Sequence, residues 1–149
     1  LKDARLAALM ACTLGMSAER RLRTTGAQQP LEGAVLDAAC SAYVEAAVEQ
    51  MDQQVKAAAA AYGLAGNWRF SPGYGDLPLD VQSPLLALTD ATRRLGVTLS
   101  ESNLMNPLKS VTAVIGLSDT PQQARIRGCD FCAMRTRCNL RKAGKTCGT

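Results

Sequence analysis

The segment from Leu31 to Gly63 constrains this chain most. Leu36, Cys40, Tyr43, Ala47, Met51 and Val55 recur at helical spacing, and alanines fill positions 57 to 61. The pattern predicts one long helix over 31–62, stopped by Gly63. A chain of 149 residues with such a helix has room for one domain and a short extension. Aromatic residues make up 4% of it, so the core has to be built from alanine, leucine and valine, which suits helices and argues against an all-β sandwich. Histidine is absent, which removes imidazole as base, nucleophile or metal ligand.

Around this helix the remaining elements are shorter. Residues 3–12 read as a helix with a buried Ala/Leu face, broken at Thr13-Leu14-Gly15. Ser17 is placed to cap a short helix through Glu19 to Arg23, and Gly26 to Pro30 reads as a turn. Asn67 to Pro78 reads as a rigid loop, since residues 68–78 hold three aromatics, two glycines and two prolines. Ser83 and Pro84 open another predicted helix that ends at Leu95 before Gly96. Val97 to Leu99 is a short strand candidate, and Ser110 to Leu117, rich in β-branched residues, is the clear strand. The order predicts an α+β fold whose sheet is short of strands. The Leu1 start reads as the C-terminal portion of something longer, and missing N-terminal residues or a partner are expected to supply the rest of the sheet.

Charge and cysteine divide the chain into two parts. Residues 1–120 carry 10 Lys+Arg against 12 Asp+Glu, net −2, whereas residues 121–149 carry 7 against 1, net +6. Cys12 and Cys40 lie in apolar surroundings and read as core residues, while Cys129, Cys132, Cys138 and Cys147 crowd into the tail. We therefore read a body over 1–120 and a basic, Cys-rich tail over 121–149. Four thiolates can close a tetrahedral zinc site or hold an iron–sulfur cluster, and the surrounding cations favour their deprotonation. Two disulfides and unpaired thiols are the other options, and four cysteines allow three pairings.

In the body, the residues with the most chemistry lie between 69 and 74. Arg69 offers a planar fork of donors suited to a carboxylate or phosphate. Pro72-Gly73 makes a turn where a backbone can approach a ligand, and Tyr74 adds a ring and a hydroxyl. Together they suit a small zwitterion. Read without further context, the same residues also describe a surface turn with an exposed arginine. Glu45 and Glu49 recur with Asp52 on one face of the long helix, where a carboxylate can meet an ammonium group or simply face water. Glu101, in Thr-Leu-Ser-Glu-Ser-Asn, has the same two readings.

Three motifs taken together resemble a known family. Arg69-Phe-Ser-Pro-Gly-Tyr74-Gly-Asp-Leu-Pro is followed by Gly96-Val-Thr-Leu-Ser-Glu-Ser-Asn-Leu-Met-Asn-Pro107 and then Lys109-Ser-Val-Thr-Ala-Val-Ile-Gly. This arrangement resembles the activation domain of cobalamin-dependent methionine synthase, in particular its short stand-alone bacterial relatives. The resemblance extends back through Ala-Tyr-Val-Glu45-Ala-Ala-Val-Glu49 and covers roughly residues 10–118. It implies a C-shaped α+β fold with a small, mostly antiparallel sheet and a shallow groove for S-adenosylmethionine. It also implies roles for individual residues. Arg69 matches the arginine that meets the methionine carboxylate, Gly73 and Tyr74 match the Gly-Tyr that shapes the groove, and Glu45 matches the glutamate that holds the amino acid end. In that family the cofactor remethylates a cobalamin oxidised to cob(II), with the electron supplied by a donor such as flavodoxin or ferredoxin.

The resemblance also implies an N-terminal part of the domain, with another acidic ligand-binding residue, that this sequence lacks, and the sequence departs from the large enzymes in two further places. It reads Gly-Tyr-Gly-Asp where they have Gly-Tyr-Pro, and the Cys-rich tail has no counterpart in their activation domain. Without histidine the chain supplies no imidazole to cobalt, so cobalamin is expected only through a partner. The resemblance thus implies an accessory reactivation module, with no catalytic side chain of its own, acting on the cobalamin-binding domain of methionine synthase or another corrinoid protein. Cytoplasmic location follows from that intracellular chemistry. Other readings stay open. The tail could form an iron–sulfur electron-transfer element, or a zinc-stabilised basic module that grips nucleic acid, although Phe131 alone offers base stacking there. The body could also dock corrinoid proteins without binding the cofactor. No stretch has the roughly 18 uninterrupted apolar residues of a membrane span.

Elemental analysis of anaerobically isolated protein is expected to find bound metal that is lost in a Cys129→Ser/Cys132→Ser variant. Iron with a visible absorption band would assign the electron-transfer reading, and one zinc per chain would remove it.

Overall fold

The computed structural model describes residues 3–75, 77–121 and 136–144. Of the tail cysteines, Cys129, Cys132 and Cys147 lie outside the described residues. Cys138 is half-buried and precedes a four-residue helix, Asn139–Lys142.

The body is α+β. Strand β1 (Leu6–Thr13) leads into helix α1 (Gly15–Gln28) and the 31-residue helix α2 (Pro30–Ala60). Strand β2 (Ala65–Phe70) is followed by a short 3-10 turn at Leu79–Val81 and by helices α3 (Gln82–Thr89) and α4 (Ala91–Leu95). The two-residue strands β3 (Thr98–Leu99) and β4 (Met105–Asn106) pair with each other before β5 (Ser110–Ser118). β5 lies at the centre of an antiparallel sheet of order β1-β5-β2.

Both faces of this sheet are covered. Ala113, Ile115 and Leu117 of β5 and Met10 of β1 pack on Val48 and Ala59 of α2, with Ala8, Cys12, Met51 and Val55 at the margin. On the other face Leu86, Ala91 and Val97 pack against Ala11. There Gln82 Nε2 of α3 donates to Thr112 Oγ1 at 2.8 Å, which satisfies two buried polar groups at once. A strand covered on both faces loses the alternation that marks a half-solvated one, and eight of the nine β5 residues are buried.

The structure corrects several expectations. Residues 3–12 do not form a helix: β1 pairs with β5 at eight consecutive positions. Its Ala-Leu-Met-Ala composition has no strong β preference, so long-range pairing overrides local propensity. Ser17 caps nothing, and the turn predicted over Gly26 to Pro30 narrows to the single non-helical residue Gln29 between the two helices. α1 runs unbroken through Gly26 to Gln28, and α2 comes close there at Gly33, where a Cβ would lie 2.5 Å from the Gly26 Cα. The helix predicted from Ser83 to Leu95 begins at Gln82, carries Pro84 in its first turn, and breaks at Asp90, which takes a left-handed conformation (φ 52°). The buried stripe of α2 is also rotated from the predicted one. Val44, Val48, Asp52 and Ala59 are buried, and Tyr43 is exposed. β2 replaces the first part of the loop predicted from Asn67. The strand missing from the predicted sheet is thus supplied within the body by residues 6–13.

The segment before β5 is fastened to both long helices. Glu19, buried on α1, accepts from Arg23 Nε at 2.9 Å and from the Leu108 N–H at 3.0 Å. Lys109 Nζ donates to Ser41 Oγ and pairs with Asp37 of α2, both at 2.8 Å. The Ser110 hydroxyl donates to the Pro107 carbonyl at 2.7 Å.

The glycine contact between α1 and α2 gives a test with opposite signs. Gly26→Ala meets nothing within 4 Å and is expected to stabilise by about 0.5–1 kcal/mol through helix propensity. Gly33→Ala is expected to lower the midpoint of chemical denaturation despite the same propensity gain, because its Cβ meets backbone.

Candidate functional site

Arg69 lies near the end of an edge strand, and its orientation is set by a β-bulge. Gly66 pairs with Leu117, and Arg69 pairs with Ile115. Three steps along β2 therefore match two along β5, which places one extra residue in β2. Gly66 faces α2, where a Cβ would lie 2.6 Å from the Lys56 Cγ. Regular alternation would send the residue three positions later to the opposite face. The extra residue reverses that parity and puts Arg69 opposite Ile115 on the α2 side.

α2 meets Arg69 with two carboxylates. Arg69 Nη1 donates to Glu49 Oε2 at 2.6 Å, and Nη2 donates to Glu45 Oε2 at 3.1 Å. The arginine side chain is 20% exposed, against 60% for Glu45 and 55% for Glu49. One helical turn further, the buried Asp52 pairs with Lys56 Nζ at 2.6 Å. Its other oxygen, Oδ1, has no hydrogen-bond partner among the described residues.

These contacts shift both charged partners. Burial works against the charge on Arg69, but the hydrogen bond and charge of Glu49, with Glu45 and Asp52 nearby, outweigh it and hold the guanidinium above its usual range. The hydrogen bond from Arg69, then its charge, holds the Glu49 carboxyl below its usual range against a small opposing effect of desolvation.

The turn after β2 is built as its sequence requires. Tyr74 N–H donates to the Ser71 carbonyl at 3.2 Å, with buried Pro72 second and Gly73 third in the turn at φ +87°. Proline followed by a positive-φ glycine is the pattern of a type II turn. A second bond from Gly73 N–H to the Leu77 carbonyl, at 2.9 Å, braces it. Gly73 is thus needed for its backbone angle. Tyr74 is 73% exposed, so its ring and hydroxyl stand available at the surface.

Of the predicted site residues, the structure brings Arg69 and Glu45 into contact and sets Pro72, Gly73 and Tyr74 on the adjoining turn. It adds Glu49, whose place on the helix face was visible but whose partner depended on the bulge. Glu101 lies in the exposed turn between β3 and β4 and joins no part of this cluster. A separate cavity of about 580 Å³ lies at the β1 side of the sheet, lined by Leu6, Val55, Ala59, Tyr62, Leu64 and Leu117, and does not include Arg69. Cys12 is a half-buried free thiol against the core. Burial pushes its pKa up, against a smaller lowering by a backbone hydrogen bond at Thr13. Among the described residues no group of three or more Cys, Asp or Glu side chains is placed to hold a metal ion, and no helix is long and apolar enough to cross a membrane. Compared with known protein families and with curated proteins, the chain matches none.

Arg69 and its glutamates make a titration prediction. A carboxyl whose pKa is depressed in the folded state contributes fully above its unfolded value and loses that contribution as pH falls through the folded one. The Glu49 carboxyl, followed by carbon NMR, is expected to titrate below 4.5 in the native protein and to return toward 4.5 in Arg69→Met.

Proposed function

We propose that this chain binds S-adenosylmethionine at Arg69, Glu45 and the Pro72–Tyr74 turn, and serves as an accessory reactivation module for methionine synthase or another corrinoid protein. The observation that carries the reading is the cluster itself: one guanidinium and two carboxylates, seated beside a braced turn that presents an exposed tyrosine. Its formal charge is −1. The amino acid end of the ligand has one carboxylate and one ammonium, and the sulfonium adds a further positive charge, so ligand and cluster are complementary. Arg69 suits the carboxylate through its planar fork, and Glu45 suits the ammonium. The motif resemblance over residues 10–118 supports the same assignment, and an α+β body with a small antiparallel sheet agrees with it at the level of fold class. The C-shaped form of that family remains part of the proposal.

The role of the chain in this reading is to bind and orient. Arg69 and Glu45 fix the amino acid end, and the turn at Ser71–Tyr74 limits where the rest of the ligand can lie. S-adenosylmethionine held there would supply its sulfonium methyl to the partner's cobalamin and leave as S-adenosylhomocysteine, with the reducing electron coming from a flavodoxin- or ferredoxin-type donor. No general acid or base is needed, which fits a chain without histidine. We propose that the partner brings the cobalamin, that the reaction is cytoplasmic, and that Cys129, Cys132, Cys138 and Cys147 hold zinc or an iron–sulfur cluster. In the latter case the tail would pass the electron.

Calorimetric titration of S-adenosylmethionine into the full chain is expected to show saturable binding. Arg69→Ala should weaken it about tenfold or more, as expected for loss of a charged hydrogen-bond partner. Heat-free titration of a folded wild-type protein would overturn the reading.

A further inference from the structure

We infer that Glu49 is an exchangeable gate of the candidate site: it occupies Arg69 in the free protein as a stand-in for the ligand carboxylate, then passes to the ligand ammonium. The inference rests on the binding reading above and assigns a role that the motif resemblance does not give.

The geometry of the two glutamates is the basis. One N–H on each terminal nitrogen of Arg69 is engaged by α2, so a ligand carboxylate that takes the guanidinium edge facing α2 displaces one of the two glutamates. The shorter contact, 2.6 Å, belongs to Glu49, and the longer, 3.1 Å, to Glu45. Glu49 therefore occupies the stronger half of the fork. It is also free to leave. Its side chain is 55% exposed on a helix surface, so the carboxylate can swing into water without stranding a buried charge. Arg69 differs, being 20% exposed on an edge strand packed against that helix. An exchange thus moves the glutamate and keeps the arginine. Depression of the Glu49 carboxyl by Arg69 agrees with a contact made between full charges.

This arrangement would select for ligands carrying both charges. A ligand with only a carboxylate competes with Glu49 for the guanidinium and gives nothing back to the displaced glutamate. A zwitterion offers its ammonium to that same glutamate within reach of the vacated position. Selectivity then comes from what the displaced group regains as well as from the contact at Arg69.

Two ligands and one variant separate these effects. S-adenosylmethionine and its deamino analogue, which keeps the carboxylate and sulfonium but lacks the ammonium, are titrated calorimetrically into the full-length wild type and Glu49→Gln, with circular dichroism as the fold control. Glu49→Gln is expected to weaken S-adenosylmethionine about fivefold, the scale of a partly exposed ion pair, while binding the deamino analogue more tightly than wild type does. Weakening of both ligands to the same degree would overturn the exchange and make Glu49 a fixed support for Arg69. No change with either ligand would overturn it too, leaving the binding reading in place. If the folded wild type fails to bind S-adenosylmethionine, the binding reading falls and the exchange with it.

Discussion

Burial of β5 on both faces is the constraint on which the rest of this structure depends. Ile115 and Ala113 are fully buried on the α2 side, and Thr112 is buried on the α3 side, where it accepts from Gln82. A strand in that position needs partners along both edges for its backbone and a layer of side chains over each face. β1 and β2 supply the edges, α2 supplies one face, and α3 with α4 supplies the other. Once β5 is central, the position of α2 over the sheet is fixed, and with it the line of acidic residues along the helix margin that meets β2.

The candidate site follows from a meeting of two elements and does not reside in either alone. α2 presents Glu45 and Glu49 one turn apart, an ordinary solvated pair if considered on the helix by itself. β2 presents Arg69, whose charge would be costly beside a core strand without a partner. Their combination places a partly desolvated cation between two exposed anions, an arrangement that is satisfied within the protein.

Much of this was legible in the sequence, for physical reasons that differ from element to element. α2 could be read because a 31-residue helix shows its periodicity many times over, and β5 because its β-branched residues fit a pleated sheet and little else. The turn at Ser71–Tyr74 was legible because proline followed by glycine restricts the backbone directly. β1 was not, since Leu-Ala-Ala-Leu-Met-Ala-Cys has a local preference that its pairing with β5 overrides. Gly26 was misread as a breaker because a helix interior tolerates a single glycine, and the residue across the contact, Gly33, is the one with no room for a Cβ. In the site, Arg69 and Glu45 were chosen by chemical type. Glu49 was a candidate on the same helix face, but its contact with Arg69, like that of Glu45, depends on an extra residue in β2 that no local pattern displays.

That extra residue means the address of Arg69 is written as a count. Between Gly66 and Arg69 the strand holds an odd number of steps against an even number on β5. Removing one residue there would leave every side chain chemically intact, yet would turn the guanidinium away from both glutamates. Adding one would do the same. The length of this edge strand between Gly66 and Arg69 is therefore fixed, so relatives that keep the charge cluster should not differ there by insertion or deletion.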